Sequence, residues 1–287
     1  MSNNTIFDDV FRTMLQKMPQ MAISLINEVF GKDYPENIKL KQGRNEFYTK
    51  DGKVITDSHF QIEEKIYHLE YQSTKDATMM FRMIEYDFSV ALESVGRENE
   101  TSRIYFPHSF VLYLRDTQGP EEMKLELLMP DGQRVEYKVP VIYQQRYTKE
   151  IIFQKRLFFL LPFYIMRYEK AKKELEKNQE KLQEMLEEYR SIEKCLEEEF
   201  LYHDREKEYR DMVELIIRIA DYILRDSQKV RKGFGKVMGG KVLELESDKL
   251  IKKGIELERE NTEKERQRAD AAEAEVKRLK LLLQEKQ

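Results

Sequence analysis

Apolar residues recur at helical spacing from Asp8 to Phe30, through Val10, Phe11, Met14, Leu15, Ala22, Leu25, Ile26, Val29 and Phe30. This is the stripe of a core-facing helix. Pro19 interrupts it, lacking an N–H and crowding the preceding turn, so two short helices are predicted, with Gly31 as the stop. The period then shortens towards two. Residues 38–49 read as a strand, K-D-G-K at 50–53 as a turn, and 55–72 as a strand pair. Helical spacing returns from Ala77 to Val95. Three further strands are predicted at 109–114, 123–129 and 135–139, the last two joined by P-D-G at 130–132. Ile151–Met166 is apolar enough for a buried helix, kinked at Pro162. The order α-α-β-β-β-α-β-β-β-α predicts a mixed α/β domain over residues 1–167.

Beyond Tyr168 the pattern is a heptad. Tyr168, Leu175, Leu182, Tyr189, Leu196 and His203 occupy a positions, and Ala171, Asn178, Met185, Ile192 and Glu199 occupy d positions. A long helical or coiled-coil tail over 168–287 is therefore predicted, packed within the chain or across a homo-oligomer, with Asn178 fixing register. Amphipathic helices follow at 212–224 and 248–287. Gly233, Gly235, Gly239 and Gly240 lack the strand-then-helix context of a phosphate loop and read as a break between helices.

Composition sharpens this division. All 7 prolines fall at or before Pro162, and of 15 phenylalanines only Phe200 and Phe234 lie later, while nearly half of the tail is charged. A net charge of −4 does not advertise a nucleic-acid binder, although a local basic groove can coexist with an acidic tail. One cysteine, Cys195, suits a reducing cytosol, and eight residues from His203 it makes no zinc pattern. The polar, acidic opening M-S-N-N-T-I-F-D-D and the lack of a long apolar run predict a cytoplasmic chain with no signal peptide and no membrane span.

The candidate chemistry lies in I-T-D-S-H-F-Q-I-E-E-K-I-Y-H-L-E-Y-Q, residues 55–72. Alternation places Asp57 and His59 on one face of the first strand, and His68, Glu70 and Gln72 on one face of the second. With a turn at 63–65, Asp57 falls opposite residue 70 or 71, at about 4.5–5.5 Å between Cβ atoms or on a neighbouring diagonal. Like charges so opposed destabilise a ladder unless a cation lies between them. A hard divalent ion such as Mg²⁺ suits two carboxylates, and that pairing suits phosphodiester cleavage. The same acids also fit an ordinary solvated hairpin. Either way, both acids are expected on an open strand face. His59 and His68 read as ordinary strand residues.

Four pieces in order carry a resemblance: D-D-V-F-R at 8–12, Asp57, E-Y-Q at 70–72, and M-M-F-R-M-I-E-Y at 79–86. Together they resemble the recombination-promoting nuclease/putative transposase family of the PD-(D/E)XK nuclease superfamily, over about residues 5–165. The resemblance implies a PD-(D/E)XK nuclease-like mixed sheet flanked by helices. It implies metal-dependent DNA hydrolysis with Mg²⁺ or Mn²⁺ on Asp57 and Glu70, in recombination or a mobile element. Gln72 stands where the superfamily places a lysine. Asp9 matches an acidic position that completes the site through a metal-bound water, and Arg82 and Tyr86 match residues that hold phosphate or brace Glu70. Each has a plainer reading: Asp9 as a helix N-terminal charge, Arg82 as a surface partner of Glu85 or Glu93. An alternative function is a catalytically inactive nuclease-fold scaffold that binds DNA or protein.

Overall fold

The computed structural model describes residues 6–43, 46–49, 52–55, 58–74, 76–93, 96–98, 101–115, 118–240, 258–259 and 262–264. Asp57 lies outside these residues, as does most of the helix predicted at 248–287. The chain divides into two units, residues 1–238 and 239–287.

The first unit opens with the two predicted helices, α1 (Ile6–Lys17) and α2 (Met21–Phe30). Gly31 ends α2 at φ 57°, ψ 41°, a left-handed cap in which glycine has no Cβ to clash. The predicted strand 38–49 divides into β1 (Leu40–Gln42) and β2 (Glu46–Thr49), and β2 pairs with β3 (Gly52–Ile55). β4 (Ser58–Ile62) and β5 (Lys65–Gln72) form the central hairpin. α3 (Met79–Glu93) follows, then a small hairpin of β6 (Gly96–Glu98) and β7 (Thr101–Arg103). β8 (His108–Tyr113), β9 (Glu122–Leu128) and β10 (Arg134–Tyr143) complete the strands.

The main sheet has six strands in the order β1-β4-β5-β8-β10-β9. β5 and β8 are parallel, as are β8 and β10, while the outer pairs are antiparallel, so the sheet is mixed. Helices cover both faces. Tyr67, Leu69 and Tyr71 of β5 look towards α1 and α2, with the Phe11 and Tyr71 rings 4.5 Å apart and Phe30 and Tyr67 5.5 Å apart. The alternate residues of β5 look towards α3.

After β10 the chain departs from a single kinked helix. α4 (Lys149–Gln154) is capped by the Thr148 side chain, and Phe158–Tyr168 winds as a 3₁₀ segment with Pro162 inside it. Every residue from Phe158 to Met166 is buried, so tertiary packing holds a helix form that is seldom long on its own. α5 (Lys172–Lys177), α6 (Gln179–Phe200) and α7 (Glu206–Ile223) follow, and residues 228–240 are helical. Asn178 does not sit in a coiled-coil core. It caps α6, its side-chain oxygen accepting from the Glu180 and Lys181 amides at 3.0 and 3.1 Å. A short polar side chain satisfies a helix start here, which is why the heptad breaks at this residue.

The apolar stripe of α6 is buried within the chain. Tyr189 meets Phe234 at 4.5 Å and Tyr164 at 6.2 Å, and Phe200 meets Phe158 at 5.3 Å. α7 packs on α1 and on the 3₁₀ segment. The division between the two units falls after Met238. No helix among the described residues is long and apolar enough to cross a membrane.

Candidate functional site

β5 is the strand that builds the site. Its partner β4 runs antiparallel from Ser58 opposite Leu69 to Ile62 opposite Lys65, closed by a two-residue turn at Glu63–Glu64. Glu63 takes φ 54°, the left-handed value such a tight hairpin turn requires. The turn is one residue shorter than the sequence predicts. His68, Glu70 and Gln72 share the α3 face, as alternation predicts.

α3 supplies the facing groups. Met79, Met83, Asp87 and Val90 recur at i, i+4, i+8 and i+11 and all are buried, so Asp87 is an acid in an apolar stripe. Its carboxylate meets His68 Nδ1 at 2.6 Å and accepts a short hydrogen bond from the Tyr137 hydroxyl of β10. The other imidazole nitrogen, His68 Nε2, lies 3.0 Å from Glu70 Oε1. On the outer side, Arg82 Nη2 stands 3.9 Å from Glu70 Oε2. Arg82 also donates through Nε to the Tyr86 hydroxyl at 3.2 Å and through Nη1 to Asp76 at 3.1 Å.

The central members of this chain are inaccessible: His68 and Asp87 are 0% exposed and Glu70 1%. The open-face expectation fails for Glu70. β5 lies inside the sheet and is covered by α3, and its polar positions alternate into a buried ionic layer rather than into water. Burial alone would lower the His68 pKa, but the hydrogen bonds and charges of Asp87 and Glu70 overcome it and raise the value to about 10. His68 is thus an imidazolium at neutral pH, donating to both acids. Its cross-strand neighbour His59 behaves oppositely: burial first, then the His68 charge, push it down to about 4. Burial raises the Tyr137 pKa, reinforced by Asp87, so the phenol keeps its proton and donates it. Burial opposes the Arg82 charge, yet Tyr86, Glu70 and Asp76 together raise its pKa.

The linkage of His68 to stability has a definite sign. Its folded pKa of about 10 exceeds the ordinary 6.5. The folded state therefore binds the proton more tightly, and the stabilisation is fully present below about pH 6.5 and gone above about pH 10. Unfolding free energy should fall steadily as pH rises through that window. Urea titrations at a series of pH values check this, and a flat profile from neutral pH to about pH 10 would show that His68 is not held charged.

The structure thus brings Glu70, Arg82 and Tyr86 together, with Gln72 on the same strand face. The Gln72 amide donates towards the Met79 sulfur at 3.5 Å. Asp9 is placed differently. It lies on α1, which packs against the Tyr71 side of β5, and its carboxylate forms an ion pair with Arg218 of α7. Sequence reasoning missed Asp87 and Tyr137 and took His68 for an ordinary strand residue. The acid at the i+8 position of an apolar stripe was the readable signal for Asp87.

A divalent ion needs several oxygen donors, normally including one or two carboxylates. Among the described residues, no group of three or more His, Cys, Asp or Glu side chains is arranged to hold a metal. Glu70 supplies one carboxylate, with cationic groups towards both its oxygens. The described donors alone do not fit such an ion, and the second acid of the predicted pair, Asp57, lies outside them.

No family model, curated protein or solved structure matches this chain.

Proposed function

We propose that the α/β part of the chain is a DNA endonuclease of the PD-(D/E)XK type, dependent on Mg²⁺ or Mn²⁺ and serving recombination or a mobile element. The observation that supports it most is the convergence of Glu70, Arg82 and Tyr86 from β5 and α3. This reading requires Asp57 and Glu70 to hold the metal, which when bound would supply the Lewis-acid chemistry of phosphodiester hydrolysis. The chain's own groups have separate tasks. The His68 imidazolium fixes the Glu70 carboxylate in one orientation, and Asp87 and Tyr137 fix His68. Arg82, 3.9 Å from Glu70, keeps solvent access with its side chain 34% exposed, and a guanidinium there suits a phosphate oxygen. Gln72 orients a water or a non-bridging oxygen without adding charge. Asp9, paired with Arg218, has no task in this reading.

One observation favours a second reading. The Glu70 charge is already balanced by His68 and Arg82, and Gln72 brings no cation. A nuclease-like domain so neutralised would bind DNA or protein without cutting.

Nicking of supercoiled plasmid separates the two. Glu70→Gln keeps the shape of the side chain and should abolish nicking. Gln72→Lys restores a cation beside the phosphate and should raise the rate, since one well-placed charge contributes a few kcal/mol in a transition state. Unchanged nicking by Glu70→Gln would refute the site.

A further inference from the structure

β9 is the outer strand of the sheet, with no strand beyond it among the described residues. Its seven residues, Glu122-Met-Lys-Leu-Glu-Leu-Leu128, pair with β10 from Leu128 opposite Arg134 to Glu122 opposite Pro140. Two bonds at the ends of this ladder fix its phase. Met129 donates to the Gln133 carbonyl and Val141 to the Glu121 carbonyl, both at 2.8 Å. In an antiparallel ladder the bonded pairs alternate, so residues 121, 123, 125, 127 and 129 turn their amides and carbonyls to β10. The backbone groups of Glu122, Lys124, Glu126 and Leu128 therefore point away from the sheet. That is an edge able to accept another strand.

The sequence of this edge is complementary to itself. Antiparallel pairing about Leu125 sets Lys124 of one copy opposite Glu126 of the other, twice by symmetry. Met123 falls opposite Leu127, and Leu125 opposite Leu125. The same register makes 124/126 and 122/128 the hydrogen-bonded pairs, which is where the outward backbone groups lie. Chemistry and backbone phase agree on one register. At present these charges are used only in solvated contacts within the chain: Lys124 lies 3.5 Å from Glu122 and 3.8 Å from Glu136, and Glu126 3.4 Å from Arg134. A lone lysine usually guards an edge against association; here its opposite number in a second copy is a glutamate.

The surroundings are also apolar. Met123, Leu125 and Leu127 are half-buried on one face. Leu127 lines a cleft of about 710 Å³ with Phe88, Ile104, Phe106, Met129 and Val135. Phe88, Ile104, Phe106, Met129 and Val135 are each at least 39% exposed, a concentration of apolar surface that marks interaction sites.

The geometry points to a two-fold homodimer formed by β9 against β9, joining two six-stranded sheets into one. The interface is isologous, as a two-fold axis through Leu125 demands. This assembly is independent of the nuclease reading and of the α6 stripe.

The test uses the full chain in sedimentation equilibrium, with circular dichroism confirming that each variant is folded. Wild type should be a dimer that dissociates on dilution. Lys124→Glu places Glu opposite Glu twice, and Glu126→Lys places Lys opposite Lys twice, so each should weaken the dimer by about tenfold or more. Mixing the two variants should restore wild-type affinity, because each then meets its complement, and the double swap should do the same. A wild type that stays monomeric at all concentrations would overturn the proposal. So would folded single variants that dimerise as wild type does, or weakened variants whose mixture stays weak.

Discussion

A chain ending at Tyr168 is expected to lose cooperative unfolding altogether, although it holds every strand of the main sheet. α7 buries Tyr209, Met212, Val213, Leu215, Ile216, Ile219, Ala220 and Ile223. It is tied to α1 by the Phe7–Tyr222 ring contact at 5.5 Å and the Lys17–Asp211 ion pair at 2.7 Å. α6 covers the 3₁₀ segment through Tyr189 and Phe200, and Glu188 accepts from the Tyr164 hydroxyl at 2.7 Å. Each large apolar side chain uncovered forfeits about 1.5–3 kcal/mol, against a total stability of about 5–15 kcal/mol for a domain. Removing α6 and α7, with the other helices after Tyr168, exceeds that margin. A chain ending at Met238 keeps the compact unit and should unfold in a single transition. Proton–nitrogen correlation spectra of both chains decide the matter: dispersed amide signals from the 1–168 chain would refute the claim that the later helices complete the core.

Asp87→Ala is expected to be the most destabilising single substitution at the candidate site. The carboxylate is wholly buried between the His68 ring and the Tyr137 hydroxyl. Its loss leaves an imidazolium and a phenol without that partner in a dry layer. Removing one member of a buried ion pair typically costs about 3–5 kcal/mol, because the remaining charge is stranded. Tyr137→Phe removes one hydrogen bond and should cost about 1–3 kcal/mol. Glu85→Ala, on the exposed side of the same helix, should stay within about 0.5 kcal/mol. Urea unfolding of the three variants gives the ranking. An Asp87→Ala variant within about 1 kcal/mol of wild type would mean that the buried network is not ionic.

Strand alternation was enough to align His68, Glu70 and Gln72, because a period of two follows from the backbone alone. What alternation cannot report is the layer above the strand. K-I-Y-H-L-E-Y-Q reads as half-exposed, yet α3 lies over its polar face with Asp87 and Arg82 as partners. Pairing of β5 with β8 across a crossover is a long-range event, and no local pattern announces it. The helices α1, α2, α3 and α7 were readable from their stripes. The heptad after Tyr168 was readable as apolar spacing but not as continuity, since Asn178 is equally suited to a buried register position and to a cap, and local hydrogen bonding decided for the cap. The 3₁₀ form of Phe158–Tyr168 depends on packing from several helices and left no periodic trace. Of the candidate site, alternation placed Glu70 with His68 and Gln72, whereas Arg82 and Tyr86 entered only through the resemblance; Arg82 stands 3.9 Å from Glu70. The charge on His68 was not legible, because it depends on Asp87 nineteen residues away.

The proposal that places Glu70 in a phosphodiesterase centre is open to direct test. Its most direct measurement is nicking of supercoiled plasmid by the purified full chain with Mg²⁺ or Mn²⁺, alongside Glu70→Gln and a metal-free control. The expected result is nicking that needs the metal and disappears in Glu70→Gln while that variant remains folded. Wild-type protein that binds DNA but leaves it intact with Mg²⁺, Mn²⁺ and Ca²⁺, with Gln72→Lys inert as well, would contradict the account and leave the non-catalytic scaffold in its place.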